Sequence, residues 1–218
     1  MIVVEALHDG DALPWQADWY RKRVEATEES DVDKTYRLWY VDNAQHTDPT
    51  TETQRTHVVA YSGSVQYALR ELVAWVEQGI EPPATSAYRV QDGQVHVPPS
   101  AAERNGIQPV VVLSVNGGER AEVAVGDPVT FTAKIEVPAA PGKVVSAEWD
   151  LEGLGTYPDA DEFVEATSDA VELSSTHVFS HPGTYFPAVR VAAQREGDPT
   201  TPFARSLNLS RVRLLVRG

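Results

Sequence analysis

The hydrophobic period of this chain changes once, near residue 90, and that change limits the folds open to it. Up to Glu81, apolar runs of strand length alternate with runs at helical spacing; from Pro109 onward the apolar period is two. Residues 2–7 read as a short apolar strand, and Pro14 marks the start of a helix through "WQADWYRKRVEATEE". "TYRLWYV", residues 35–41, is apolar without alternation, as expected of a strand buried on both faces. "SVQYALRELVAWVEQG" places Val65, Leu69, Leu72, Val73 and Val76 on one helical face, with Gly79 suited to the C-terminal cap and Pro82-Pro83 forbidding continuation. Strand, helix, strand, helix predicts a parallel sheet covered by helices. Two strands and two helices do not cover both sheet faces, so residues 1–81 are expected to dimerise, pack on the remainder, or stay poorly ordered.

Residues 82–108 form a connector with four prolines in two pairs and at most one short strand. Beyond it, short β-type runs are separated by Gly, Pro and Asn turns. Val129, Phe131, Ala133 and Ile135 alternate strictly, as do Leu207 and Leu209 and then, after one slip, Val212, Leu214 and Val216. This spacing predicts a β-sandwich. The chain is thus divided into 1–88, a Pro-rich connector 89–108, and a sandwich over 109–218.

The net charge of −14 over 218 residues argues against a nucleic-acid or anionic-membrane partner, since phosphate binding requires a basic surface. The absence of cysteine excludes a disulfide framework and a thiolate nucleophile. No apolar run reaches membrane-spanning length, and the N-terminus has no signal-peptide pattern. It opens directly on a strand, as the interior of a longer ancestral chain would. His8, His57 and His96 are too scattered for a metal site, so neither a metal nor a cofactor is expected.

Two loops follow the two apolar strands of the first segment. One carries Asp9 and Asp11, the other His46. In an open parallel sheet, ligands and catalysts collect at the carboxyl ends of strands. A carboxylate against imidazole Nδ1 orients the ring, and the other ring nitrogen can then take a proton from a serine. Ser62 and Ser64 follow His46 and read as caps of the last helix.

"ALHDGDALPWQADWYRKRV", "YRLWYVDNAQH" and "ALRELVAWVEQGIEPP" together resemble the end of an α/β-hydrolase, in particular the tannase and feruloyl esterase branch. The resemblance covers about the first 88 residues and departs at Thr47, where that branch usually has Cys. It implies that His46 is the triad base and Asp11 the triad carboxylate, with Asp9 as the alternative if the loop aligns two residues earlier. The fold class implied is an α/β remnant, the last strands and helices of a hydrolase sheet. No Gly-x-Ser-x-Gly occurs in the chain, and serines after the histidine contradict the family order. The nucleophile is therefore not in the chain. The expectation is the C-terminal part of a secreted serine-type esterase, inactive alone, whose partner is the missing N-terminal hydrolase portion or a second copy.

"GDPVTFTA" (residues 126–133), Trp149-Asp150 and "HVFSHPGTY" (residues 177–185) resemble the polycystic kidney disease (PKD) domain, an all-β immunoglobulin-like sandwich. The resemblance implies Trp149 between the sheets, a tight turn at Pro182-Gly183 and Tyr185 opening the following strand, which Pro187 interrupts. It also implies an extracellular spacer, adhesion or carbohydrate-contact module, with a polysaccharide or protein as its partner. The acidic Asp159, Asp161 and Glu162 lack the regular spacing of a calcium loop. A non-enzymatic interaction module is accordingly the second expectation for function.

Overall fold

The computed structural model describes residues 1–27, 31–140, 142–167 and 170–218, and the side chains of 161–166 lie outside the described set. Strands β1 (Ile2–Ala6) and β2 (Arg37–Val41) pair in parallel, from Ile2 opposite Arg37 to Ala6 opposite Val41. Alternation along each strand sends side chains to two faces. On one face, helix α1 (Trp15–Thr27) packs Ala17 and Val24 against Val3, Leu7, Leu38 and Tyr40. On the other, helix α3 (Ser62–Gln78) packs Tyr67 and Ala68 against Ile2, Val4 and Trp39. A short helix, α2 (Glu52–Arg55), precedes α3.

The connector is more ordered than its prolines imply. It forms a hairpin of β3 (Arg89–Gln91) and β4 (Gln94–His96), then a single helical turn, α4 (Ala101–Arg104). Asp92 and Gly93 both take positive φ, the two-residue turn that matches the twist of a hairpin. Tyr88, Val95 and Val97 complete the α1-side core, so the connector supplies part of the cover that two helices lack. Residues 83–86 also close the outer edge of β2. The Ser86 amide donates to Leu38 O, and Trp39 Nε1 donates to the carbonyls of Pro83 and Ala84. The outer edge of β1 pairs with no strand among the described residues.

Helix α3 departs from its predicted orientation. Its buried residues are Ser64, Tyr67, Ala68, Glu71 and Ala74, whereas Leu69, Val73 and Val76 are 58%, 50% and 76% exposed and Val65 also faces solvent. Two buried polar side chains explain the rotation, because each has a partner in the sandwich: Ser64 Oγ lies 3.0 Å from Ser206 Oγ, and Glu71 accepts from Arg195 Nε at 2.7 Å. The helix start is capped from elsewhere. Asp48 Oδ1 accepts from the amides of Tyr61 and Ser62, in place of the expected serine cap. At the far end Gly79 takes φ 69, as predicted for the terminating residue.

The sandwich begins at β5 (Val110–Val115), which joins β7 (Pro128–Glu136) and β10 (Val171–Val178) in one sheet. The facing strands are β8 (Lys143–Asp150), β9 (Asp159–Thr167), β12 (Ala188–Gln194) and β13 (Arg205–Arg211). A third group holds β6 (Arg120–Ala124), β11 (Gly183–Tyr185) and β14 (Arg213–Arg217), with β6 and β14 parallel. Val129, Phe131, Ala133 and Ile135 are all buried, as their alternation predicts, and Trp149 is in the same core. Tyr185 closes β11 instead of opening a strand, and its ring packs 4.5 Å from that of Phe179. Pro187 falls where the chain leaves β11 for β12, and the sequence slip at Val212 falls where β13 becomes β14. The two switch points meet, since the Val212 amide donates to Pro187 O at 3.0 Å. A proline without an amide suits a site where one ladder stops and another starts.

The first segment packs directly on the sandwich, through α3 and the loop after β2 against β13. Asn43 Nδ2 donates to Asn208 Oδ1, while Gln108 bonds both the backbone of Asp42 and Leu207 O. Of the three expectations for residues 1–81, packing on the remainder is the one observed. Two glycines mark the closest approach. A Cβ at Gly63 would lie 2.0 Å from Arg205 O, and one at Gly155 would lie 2.0 Å from Glu52 O.

Candidate acid–base site

Beyond β1 the chain remains paired for two residues, Leu7 N donating to Val41 O and His8 N to Ala44 O. It then turns, and Asp9 closes the turn with its own carboxylate. Oδ1 accepts from the amides of Asp11 and Ala12, both at 2.8 Å. That leaves Oδ2 facing the second loop, where it meets His46 Nδ1 at 2.9 Å. His46 is fixed in turn by Tyr61, whose hydroxyl donates to His46 O at 3.0 Å, and by the positive φ of Asn43 at the start of the loop. The two loops at the carboxyl ends of adjacent parallel strands thus bring a carboxylate and an imidazole together.

The carboxylate is Asp9. Asp11, which the hydrolase resemblance ranked first, is exposed and contributes its backbone amide to Asp9 rather than its side chain to His46. Burial alone would push the Asp9 carboxyl up, but the Ala12 amide, His46 and the Asp11 amide together hold it below its ordinary value. The hydrogen bond that His46 donates to Asp9, then the charge of that carboxylate, raises His46. Facing a carboxylate, Nδ1 carries the proton, so Nε2 is the acceptor. The His46 side chain is 55% exposed, whereas Asp9 is buried.

Sequence reasoning missed Glu5, although a lone carboxylate inside the apolar run of residues 2–7 was a readable signal. Burial pushes its carboxyl up to about 7; the charge of Asp9 adds to this and that of His46 opposes it. The serines are placed elsewhere. Ser64 is held at Ser206, and Ser62 borders a polar cleft with Gln66, Arg190 and Arg205. Neither hydroxyl is hydrogen bonded to His46.

Donor atoms of Asp9, Asp11 and His46 lie within 4.8 Å of one another, and two of these residues, Asp9 and His46, already share a hydrogen bond. His177 and His181 are four residues apart, a spacing that reads as a metal pair on a helix. Here they leave a strand, and each has another partner: Glu152 for His177 and Ser180 for His181. In the acidic run, the side chains of Asp161 and Glu162 lie outside the described residues.

No curated protein matches the chain. Among solved structures, the PKD domain of an M14-like peptidase from Thermoplasmatales archaeon SCGC AB-540-F20 is 12% identical, covering 51% of this chain and 94% of that one, with a TM-score of 0.33. The CARDB domain of the PF1109 protein from Pyrococcus furiosus is 11% identical over 51% of this chain and 96% of its own, with a TM-score of 0.34. The human CEP192 ASH/PapD-like domain is 12% identical over 60% and 93%, with a TM-score of 0.28. The family model of the PKD domain matches residues 112–201, which run from within β5 to just past β12. The chain therefore carries a PKD domain at residues 112–201, packed against an α/β segment that holds the Asp9–His46 pair.

Proposed function

We propose that this chain is the acid–base part of a serine-type carboxylic ester hydrolase, joined to a non-catalytic PKD module. The nucleophile comes from polypeptide outside this sequence. The observation that carries this reading is the 2.9 Å contact between Asp9 Oδ2 and His46 Nδ1 at the rim of two parallel strands, with the imidazole otherwise exposed. In such a site His46 Nε2 takes the proton of a serine hydroxyl as that oxygen attacks the ester carbonyl. Asp9 stabilises the imidazolium, which then protonates the leaving group.

The surface for the nucleophile-bearing part is the open edge of β1. There Ile2 and Val4 line an apolar groove of 210 Å³ with Val65, Ala68, Leu69 and Leu72 of α3. A strand added in parallel along β1 would end at the same rim as β1 and β2, so the loop after it would face His46. The exposed stripe of α3 would then be covered, as parallel sheets require. The functional units are 1–88, the connector 89–108 and the sandwich 109–218, and the sandwich serves an extracellular protein as its contact with protein or polysaccharide.

The PKD match favours a second reading, in which the whole chain is an interaction module without chemistry. One experiment separates the two. The chain alone is expected not to hydrolyse p-nitrophenyl acetate. Co-expressed with the polypeptide encoded immediately upstream, it is expected to do so, and Asp9→Asn should lower the rate on the order of 10⁴-fold. Hydrolysis by the chain alone that His46→Ala abolishes would show that the nucleophile is present after all. No hydrolysis in the combined preparation would leave the interaction module standing.

A further inference from the structure

The loop that carries His46 runs from Asn43, just past β2 and at positive φ, to Tyr61, where α3 begins. Its neck is closed by its own bonds, the Val59 amide donating to Asn43 O at 2.8 Å and the Tyr61 hydroxyl to His46 O. The floor beneath it belongs to the sandwich. At the neck, Asn43 Nδ2 donates to Asn208 Oδ1 at 2.9 Å and to Leu209 O at 3.1 Å. Asn208 is buried and is fixed in turn by donating to Pro109 O at 2.7 Å. Under the loop, Leu207 and Leu209 of β13 pack with Ala44, Val59 and Tyr61 in one apolar cluster. At the far end, α2 sits on the loop between β8 and β9. There the Tyr157 hydroxyl donates to Arg55 O at 3.1 Å, and Arg55 Nε donates to Gly155 O at 3.4 Å. Tyr157 is buried at φ 49, a conformation that costs a bulky residue and persists only where its surroundings impose it. The Arg190 guanidinium, 4.3 Å from the ring centre, and the turn that Asp150 closes by accepting the amides of Leu154 and Gly155 impose it here.

We infer that the sandwich is a structural part of the acid–base site, with Asn208 and Tyr157 as positioning residues that hold the His46 loop against Asp9. This rests on the acid–base reading of the Asp9–His46 pair and gives the sandwich a role beside contact with a partner. An imidazole that is more than half exposed has little packing of its own, so its aim follows its backbone. Asn208 sets where that backbone leaves β2. The residue after Asn43 is Ala44, whose carbonyl takes the amide of His8 next to Asp9, so both members of the pair are referred to one point. Tyr157 holds the other end, keeping α2 from lifting off and carrying the loop away from Asp9.

The test is NMR of the full chain labelled with ¹⁵N at histidine rings, which reads the ratio of the two neutral tautomers of His46. Asn43→Gly removes both side-chain bonds to β13 while accepting the positive φ. Tyr157→Phe removes one hydroxyl. Tyr185→Phe is the control, because it removes the same kind of bond, from Tyr185 OH to His181 O, within the sandwich. The first two are expected to lower the share of the Nδ1–H tautomer about five-fold relative to Nε2–H, the worth of one net hydrogen bond, and the control to leave it unchanged. An unaltered ratio in Asn43→Gly or in Tyr157→Phe would overturn the proposal, and so would an equal change in Tyr185→Phe, which would trace the effect to overall stability. Amide exchange of the unmutated chain tests the same point even if a variant does not fold. The amides of His8 and Val59, bonded to Ala44 O and Asn43 O, are expected to open together with that of Leu209 in β13. Exchange at His8 and Val59 while Leu209 stays protected would show a loop that opens free of the sandwich, against the proposal. None of these readouts involves ester hydrolysis, so a failure here and a failure of the hydrolase reading are separate results.

Discussion

Asp9 shows how a local turn selects which carboxylate meets the imidazole. Its Oδ1 accepts the amides two and three residues on, the arrangement that draws an aspartate into its own turn, and only the first aspartate of Asp-Gly-Asp can do this. That rule was legible in the sequence and favours Asp9 over Asp11; alignment to a family pattern hid it. Asp9→Asn is therefore expected to lower the His46 midpoint, and Asp11→Asn to lower it much less, both read by histidine NMR. The pair also has a definite pH window. His46 is raised, so its contribution is full below the unfolded imidazole value of 6.5 and is lost as pH rises through the higher folded value. Asp9 is lowered, so its contribution is present above 3.8 and is lost as pH falls through the lower folded value. Glu5 has the opposite sign to Asp9. Raised from 4.5 to about 7, it costs the folded state increasing stability as pH climbs through that interval. Glu5→Gln should accordingly raise the melting temperature at pH 8 and leave it unchanged at pH 4.

Among the elements, the strands were the most legible and α3 the least. Unbroken apolar character identified β2, and period two identified β7 and β14, because those patterns report burial by near neighbours. The buried face of α3 depends on Ser206 and Arg195, residues more than a hundred positions away, so no local pattern could show that Ser64 and Glu71 turn inward. Of the visible signal, five apolar residues at helical spacing, four (Val65, Leu69, Val73 and Val76) mark an outer surface instead, and Leu72 is half-buried. Gly63, on the first turn of α3, tests this placement. Its Cα passes so close to Arg205 O that Gly63→Ala would force backbone apart, and it should destabilise the chain by about 1–3 kcal/mol in thermal or urea unfolding. The hairpin of β3 and β4 was readable from Asp92-Gly93 but was masked by the flanking proline pairs.

At the scale of the whole molecule, the α/β segment and the sandwich share a polar seam. Glu71, with a side chain 2% exposed, holds Arg195 across it, and the amide of Gly142 donates to Tyr67 OH. Glu71→Ala removes the buried partner of Arg195, which keeps Glu196, and the expected result is a loss of about 1–3 kcal/mol, seen as a single lowered transition in urea unfolding. Two separate transitions in the unmutated chain would show that the parts fold independently and that the seam contributes little. Gly63 and Gly155 bear on the history of such a chain. Domains of this kind are commonly pictured as beads that recombination can move between proteins. A bead needs a neutral surface at its join, and these two positions admit no side chain. Another sandwich placed here would need a glycine at the position of Gly155 and backbone space for Gly63 at the position of Arg205. The two halves are therefore expected to pass between genes as one cassette, with substitutions at the seam inherited in pairs.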